Sequence, residues 1–321
     1  MSFKDIIPPI PTELIEEELT DEKFVRKTNY GGNLLYIVTA HDSPNTMREI
    51  GRLREISFRA AGGGTGAEVD IDEFDTSDDP YHQLIVWDPH HREILGGYRF
   101  YVPIKNAVGK DIVKRLSTSH LFNFSDKFVN EYLPYTIELG RSFVQPAYQS
   151  TSRVRKGIYA LDNLWDGLGA LLVHNPDKKY FFGKVTMYTH FNKNARNVIL
   201  YFLKKHFGDK ENLVTPIEPL KIEWDVTEME RIFTGENYKE NYKILSKLVR
   251  SYHENIPPLI NAYMNLSPTM KSFGTIINQY FGNVEETGIL ITIADLYQDK
   301  IQRHVSTYKR VRYFLRKDKM I

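Results

Sequence analysis

The segment YTIELGRSFVQPA, residues 135–147, places two opposite charges inside an apolar run. Its Ile, Leu, Phe and Val residues are typical of a buried β-strand, yet Glu138 and Arg141 stand in its middle. In a regular strand, side chains three positions apart point to opposite faces, so these two meet only where the alternation breaks. Gly140 between them indicates a β-bulge, which re-aims side chains and disrupts the hydrogen-bonded ladder. A buried carboxylate, a guanidinium and exposed backbone N–H groups make a candidate site, with a structural ion pair as the alternative.

Two loop motifs also carry residues that could do chemistry. GGGTG, residues 62–66, has the glycine content of a phosphate-binding loop, but it follows a helix and lacks the Gly-Lys-Ser/Thr ending. A mobile connecting loop is the better interpretation. Asp70, Asp72 and Asp75 in VDIDEFD suggest a calcium loop, but the glycine and the distal glutamate of that motif are missing. A solvated acidic loop and a catalytic acidic loop both stay open.

The elements that must position these residues follow a mixed α/β order. The pattern predicts strands at 34–40, 82–88, 93–102, 135–147, 179–187 and 288–296, and helices at 43–59, 104–116, 157–173 and 192–207. The strands at 82–88 and 93–102 form a hairpin about Pro89 and His90. His90 and His91 are therefore most simply exposed turn residues, with metal binding as the alternative.

The domain organisation follows from the position of the last strand. GILITIADL is a solitary apolar strand that must join a sheet already built, because a lone strand cannot bury both faces. We therefore expect one domain over 31–321, preceded by a Pro-rich and acidic arm at 1–30. This domain includes a largely helical insertion at 226–272 and a basic tail at 299–321.

Composition limits the classes of function. The 321 residues include 42 basic and 41 acidic side chains, so nucleic-acid binding through bulk positive charge is not indicated. The absence of cysteine excludes disulfides, a thiolate nucleophile and cysteine metal sites. The chain has no apolar run of the roughly 18 residues that a membrane span requires, and its opening lacks a signal peptide's apolar stretch. We expect a cytoplasmic protein with no metal and no permanently bound cofactor.

The basic tail permits two interpretations. On a helix, Val305, Tyr308, Val311 or Arg312, and Leu315 recur at spacings of three and four, beside a basic face. Such a helix either docks on the core with a solvated outer face or lies on an anionic membrane surface.

The order of several motifs resembles a known family. LREISF, DIDEFD, HQLIVWDP, GGYRFY and IELGRSFVQPAY occur in this order, and the likeness continues through LDNLWDGLGALL, KKYFFGKVTM and IPPLINAYMNLSP. The set, spanning residues 34–305, resembles the ornithine-lipid type N-acyltransferases of the GNAT superfamily, relatives of the acyl-homoserine-lactone synthases. The resemblance implies an α/β GNAT fold, with a central mixed, mostly antiparallel sheet flanked by helices and a helical C-terminal extension.

The resemblance also implies site residues, at the positions that match the family's motifs. The charged positions shared with the lactone synthases are Arg54, Asp72, Asp75, Arg99, Glu138 and Arg141. Asp70 stands where those synthases usually have glutamate, a carboxylate with about one methylene more reach. The phosphate loop of acetyl-coenzyme A users is absent, and QSTSRVRKG occupies its place. Arg153, Arg155 and Lys156 within it suit a phosphopantetheine phosphate or an acidic acyl carrier protein, with Gly140 and Ser142 also on the donor side.

The implied reaction is transfer of a long-chain, often 3-hydroxylated acyl group from acyl carrier protein, or coenzyme A, to an amino acid's α-amino group. Glu138 would take the proton of the attacking amine, a backbone N–H near Gly140 would polarise the thioester carbonyl, and Tyr201 would protonate the leaving thiolate. Arg54, Arg99 and the acidic loop would hold the amino acid and brace the site. Glycine, ornithine, lysine and serine stay open as acceptors. The alternatives are a lactone synthase that uses S-adenosylmethionine and a non-catalytic module that binds acyl carrier protein.

Overall fold

The computed structural model describes residues 3–103, 109–149, 159–222 and 225–309. The described chain forms two compact units. Unit 1 holds residues 3–103, 135–149, 159–179 and 297–309, and unit 2 holds residues 109–134, 180–222 and 225–296. The expectation of one domain over 31–321 stays a prediction.

The strands are β1 (Phe24–Lys27), β2 (Leu34–Val38), β3 (His82–Asp88), β4 (Glu93–Tyr101), β5 (Phe122–Phe124), β6 (Thr136–Val144), β7 (Tyr180–Met187), β8 (Val214–Pro216), β9 (Lys271–Asn278) and β10 (Val284–Thr292). The helices are α1 (Thr12–Glu18), α2 (Pro44–Ala60), α3 (Glu73–Thr76), α4 (Lys110–Lys114), α5 (Pro146–Gln149), α6 (Ala160–His174), α7 (Lys193–Phe207), α8 (Val226–Ile232), α9 (Tyr238–Ser251) and α10 (Pro258–Met264).

Unit 1 is built on an antiparallel sheet with strand order β1, β2, β3, β4, β6. Its centre is apolar and fully buried, since Leu35, Leu84, Ile85 and Ile137 have no exposed surface. Helix α2 packs against β4 and β6, and α6 packs against β3 and β4. The predicted hairpin between β3 and β4 is present, and it leaves His90 and His91 exposed at the turn.

The acidic start of the chain has a structural role in unit 1. The predicted arm at 1–30 forms α1 and then β1, which pairs with β2. Ser43 is the N-cap residue of α2, but its side chain makes no capping hydrogen bond. The carboxylate of Glu18 accepts from Asn45 N at 2.9 Å and from Thr46 N at 2.7 Å instead. A negative charge at this position also suits the helix dipole.

The C-terminal helical segment, residues 298–309, docks on unit 1 through buried polar contacts. It begins as Gln298–Lys300 and continues as a π-helix over Ile301–Ser306. His304 Nδ1 lies 2.8 Å from Asp166 Oδ1 on α6, and the same carboxylate accepts from Asn29 N at 2.7 Å. Val305 and Tyr308, two members of the predicted apolar stripe, are buried within unit 1, so their side chains are not available to a membrane. The rest of the stripe lies outside the described residues.

Unit 2 contains the antiparallel order β7, β10, β9 and a separate pair, β5 with β8. The prediction that the last strand is solitary was wrong, because β9 forms a hairpin with it. The predicted helical insertion at 226–272 holds three helices, at 226–232, 238–251 and 258–264, and its last two residues belong to β9 instead. None of the helices in the described part of the chain has both the length and the apolar character needed to span a bilayer.

Candidate active site

The bulge expected in β6 is present. Between the pairs Gly97 with Phe143 and Arg99 with Gly140, the register advances two residues on β4 and three on β6. One extra residue therefore lies in β6 beside Gly140. Arg141 absorbs the distortion with a φ of +49°, a left-handed conformation that few non-glycine residues adopt. The broken alternation explains how Glu138 and Arg141 can both serve the same side of the sheet.

The acidic loop that follows α2 is held by a short helix with reciprocal caps. Asp72 is the N-cap of α3 and accepts from Phe74 N at 3.1 Å, while Asp75 accepts from Asp72 N at 3.2 Å. This capping box fixes both carboxylates relative to the backbone. The IDEFD segment therefore holds the carboxylates of Asp72 and Asp75 in defined positions. The interpretation as an ordinary solvated loop does not fit, because Asp70 and Asp75 are buried.

Asp75 is the centre of a buried charge network. Arg54 on α2 donates from Nη1 to Asp75 Oδ2 at 3.0 Å and from Nη2 to Gln83 Oε1, and Gln83 Nε2 donates to Asp75 Oδ1 at 2.9 Å. Arg99 Nη1 lies 3.1 Å from Asp75 Oδ2 and 2.6 Å from Asp72 Oδ1. Burial by itself would raise the pKa of Asp75, but the charges of Arg54 and Arg99 outweigh burial and hold that pKa well below its ordinary value.

The second half of the network joins the loop to the bulge. Arg141 Nε lies 2.8 Å from Asp70 Oδ2, and its Nη2 lies 3.6 Å from Asp72 Oδ2. The shorter side chain of Asp70, compared with the glutamate of the lactone synthases, therefore still reaches the guanidinium. Three arginines and three aspartates form this cluster, so their formal charges balance. Breaking one buried pair would leave its partner's charge uncompensated.

Glu138 meets a residue that the sequence analysis missed. Its side chain has no exposed surface, and Oε2 accepts a hydrogen bond from the Tyr81 hydroxyl. The Tyr81 ring is stacked on Tyr101 with centroids 5.1 Å apart, and the Arg99 guanidinium lies 5.1 Å from its centroid. Tyr81 is thus packed against an aromatic ring and a guanidinium. No motif marks this residue, because the contact spans 57 positions and depends on how β4 pairs with β6.

The remaining predicted residues are placed as follows. Tyr201 lies on α7 in unit 2, where its ring is stacked on Phe233 with centroids 5.7 Å apart. Burial raises the pKa of the Tyr201 phenol, and the charge of Glu230 adds to this, so the phenol keeps its proton at neutral pH. Gly140 and Ser142 lie in the bulged part of β6. Arg153, Arg155 and Lys156 lie outside the described residues.

The glycine-rich loop at 62–66 binds a carboxylate of the chain itself. Glu55 on α2 accepts from Gly66 N at 2.7 Å, from Thr65 N at 3.1 Å and from Thr65 Oγ1 at 2.8 Å. A Cβ on Gly64, whose φ is +97°, would lie 3.1 Å from Glu55 Oε1. The loop therefore is an anion-binding turn filled from within. Among the described residues, no three His, Asp or Glu side chains are grouped to hold a metal ion.

Comparison with known proteins identifies the family. Residues 53–156 match the acetyltransferase (GNAT) domain, a span that includes all six residues of the charge network and Glu138. A glycine N(alpha)-acyltransferase from Bacteroides thetaiotaomicron is 56% identical over 306 residues, 95% of this chain and 91% of that protein. A protein of the same name from Phocaeicola vulgatus is 55% identical over 306 residues, 95% of this chain and 94% of its own. This chain belongs to the GNAT N-acyltransferases. No solved structure matches it significantly.

Family membership confirms the predicted α/β GNAT fold and the class of enzyme, an N-acyltransferase. The alternative of a non-catalytic carrier-binding module was therefore wrong. Within the matched span, the structure brings Arg54, Asp70, Asp72, Asp75, Arg99 and Arg141 into one connected network beside the bulge. A site with a buried carboxylate, an adjacent bulge and fixed charges has the parts that acyl transfer from a thioester requires.

Proposed function

We propose that this enzyme transfers a long-chain acyl group from a thioester to the α-amino group of glycine, forming an N-acylglycine and a free thiol. The observation that carries the proposal is the 55–56% identity, over nearly the full length, to two relatives named glycine N(alpha)-acyltransferase. Glycine is thereby preferred over ornithine, lysine and serine. The family resemblance of the sequence motifs adds a 3-hydroxylated acyl chain and a product that enters aminolipid synthesis.

The chemistry of the proposed reaction assigns a task to each group. The neutral amine attacks the thioester carbonyl, the C–N bond forms, and the tetrahedral oxyanion is stabilised by a backbone N–H of the bulge, at Gly140 or Ser142. Glu138 takes the amine proton, directly or through one water. Collapse of the intermediate breaks the C–S bond, and Tyr201 gives its proton to the thiolate. Tyr81 is a positioning residue, because its hydroxyl holds Glu138 by a hydrogen bond.

Exposure divides the charge network into two roles in this proposal. The side chains of Arg54 and Asp75 have no exposed surface, which favours a bracing role without substrate contact. The side chains of Asp72 and Arg141 keep 29% and 14% of their surface exposed. These two are the members that can meet the ammonium and carboxylate groups of an amino acid. Asp70, Asp75 and Arg99 then act by fixing Asp72 and Arg141.

The donor in this proposal is a phosphopantetheine thioester, carried by acyl carrier protein or by coenzyme A. The absence of the acetyl-coenzyme A phosphate loop from the sequence favours the carrier protein. Arg153, Arg155 and Lys156 are proposed to bind the carrier or the phosphate of its arm, because basic residues before a helix start suit an anion.

The experiment that tests the function is a competition assay with purified enzyme. Palmitoyl and 3-hydroxypalmitoyl groups are supplied on carrier protein and on coenzyme A, with glycine, ornithine, lysine and serine at equal concentration. We expect mass spectrometry to find N-acylglycine as the main product. A larger kcat/KM for any other amino acid would contradict the assignment of glycine. Acyl-homoserine lactone formed only with S-adenosylmethionine would support the lactone-synthase alternative.

Peripheral attachment to an anionic membrane surface is the last part of the proposal. It is supported by the basic residues of the tail at 299–321 and by the apolar product, which must pass into a bilayer. Because Val305 and Tyr308 are buried in unit 1, attachment would depend on charge and would weaken with salt. Sedimentation with phosphatidylglycerol liposomes, comparing the full chain with one truncated after Thr307, tests this. Equal recovery of both forms in the supernatant at low salt would exclude it.

A further inference from the structure

Helix α9 of unit 2 carries a row of cations on its outer face. Lys239, Lys243, Lys247 and Arg250 are spaced by four, four and three residues and are all exposed. At 100° per residue these positions lie within one narrow arc of the helix, and at a rise of about 1.5 Å per residue the row is about 16 Å long. We call these four residues the basic ridge.

The opposite face of α9 anchors the helix to unit 2. Asn241, Leu245 and Val249 are buried. The Tyr238 hydroxyl donates to Met264 O at 3.0 Å, and the Tyr242 hydroxyl donates to Asn261 Oδ1 on α10. The ridge therefore lies on a helix that is fixed by packing and hydrogen bonds.

The ridge is not neutralised by the chain as described. None of its four cations lies within 4.0 Å of a carboxylate among the described residues. Two acids near the ridge in sequence are held by backbone groups, since Glu240 accepts from Glu236 N at 2.9 Å and Glu254 accepts from Asn192 N at 3.0 Å. Like charges four residues apart destabilise a helix, so the row by itself weakens α9. A protein with 42 basic and 41 acidic residues has no general excess of cations that would produce it.

We propose that the basic ridge is a docking surface for an acidic protein, and that this partner is the carrier that delivers the acyl group. The inference rests on the proposed function for the identity of the partner. A membrane fits less well, because helices that lie on bilayers bury their apolar face in lipid, whereas Leu245 and Val249 are buried in protein. A row about three turns long matches one acidic helix of a partner, and complementary charge of this kind raises association rates.

The test is the double variant Lys243→Glu/Lys247→Glu, with Lys205→Glu/Lys210→Glu as the matched control. The control changes charge equally at two exposed lysines of unit 2. Binding of fluorescently labelled acyl carrier protein is measured by anisotropy at several salt concentrations. KM is measured for palmitoyl-carrier protein and for palmitoyl-coenzyme A, with glycine as acceptor.

We expect the ridge variant to raise the Kd and the KM for the carrier protein about tenfold and to flatten their salt dependence, with little change for coenzyme A. The control variant should behave as wild type. Unchanged carrier binding or an equal loss with both donors would overturn the proposal. So would a ridge variant that keeps carrier binding but no longer sediments with phosphatidylglycerol liposomes. Anisotropy needs no turnover, so the two proposals fail separately. Carrier binding that the ridge variant loses, in an enzyme that forms no N-acylglycine, would refute the proposed function and leave the ridge supported.

Discussion

Two glycine-containing segments of unit 1 differ in the charged groups that lie against them. The GGGTG loop has four glycines in five residues, and its N–H groups at Thr65 and Gly66 are used by the buried carboxylate of Glu55. Strand β6 has a single glycine, beside a bulge that brings Glu138 and Arg141 next to the acidic loop. The segment with the stronger motif is thus a closed structural turn, and the weaker one belongs to the candidate active site.

Whether an anion site is already filled by the chain matters more than the glycine content of the segment. Glu55 is buried and also pairs with Arg59 Nε at 2.7 Å, so the loop's anion site is filled from within the fold. In β6, the charges beside the bulge are balanced among three arginines and three aspartates, and Glu138 is held by a tyrosine hydroxyl. Variants of Glu55 should therefore affect folding, and variants of Glu138 should affect turnover.

The largest expected effect is a loss of stability and concerns the charge network beside the bulge. Asp75→Asn removes one partner of the buried pairs with Arg54 and Arg99 and should lower the free energy of unfolding by about 3–5 kcal/mol. Because the pKa of Asp75 is lower in the folded chain than in the unfolded chain, its stabilisation is present above the unfolded value of about 3.9 and is lost as pH falls through the folded value.

Urea unfolding at several pH values measures this difference. The difference in unfolding free energy between wild type and Asp75→Asn should be largest at pH 7. It should become smaller as the pH falls below about 4. Asp78→Asn, at an exposed position of the same loop, is the control and should change little. A difference that stays constant down to the acid limit would show that Asp75 does not act through its charge.

The next effect concerns the glycine-rich loop. Glu55→Gln keeps the size of the side chain but removes the negative charge of the carboxylate that accepts from Gly66 N and Thr65 N. This should lower the free energy of unfolding by about 1–3 kcal/mol. In the folded fraction, kcat and the KM values for the thioester and for glycine should stay near those of the wild type. Glu68→Gln, at an exposed position nearby, is the control. A rise in KM for the thioester, with stability unchanged, would instead make the loop part of the donor site.

The smallest effect separates positioning from packing. Tyr81→Phe keeps the ring that stacks on Tyr101 and loses only the hydroxyl that donates to Glu138, so kcat should fall about tenfold with KM nearly constant. Loss of a donor to a carboxylate favours its protonated form, so the acid limb of the pH profile should move to higher pH. A lower stability with an unshifted profile would indicate that Tyr81 only packs. The exposed Tyr280→Phe serves as the control.

Local rules accounted for much of the fold and part of the site. Gly140 inside a strand pattern predicted the bulge, and the periodicity of α2, α6 and α7 predicted those helices within three residues at each end. The charges at Glu138 and Arg141 pointed to the site because buried charges require partners. Each of these signals lies within a few residues of the feature that it predicts.

The parts that were missed depend on contacts between distant segments. Tyr81 reaches Glu138 across 57 positions, and Arg141 reaches Asp70 across 71, so both contacts join distant segments and no local pattern encodes them. Strand β9 was missed because Gly274, with a φ of +90°, interrupts its pattern. Glu18 caps α2 from outside that helix, so the capping residue could not be found from the sequence next to its start.

We propose that Glu138, beside the bulge, is the base for acylation of glycine. The most direct measurement is the single-turnover rate of N-palmitoylglycine formation by wild type and Glu138→Gln, with Glu138→Asp as the variant that keeps a carboxylate. We predict a loss of about a hundredfold or more in Glu138→Gln, partial recovery in Glu138→Asp, and unfolding midpoints that show both to be folded. A folded Glu138→Gln enzyme that acylates glycine at the wild-type rate would contradict the account.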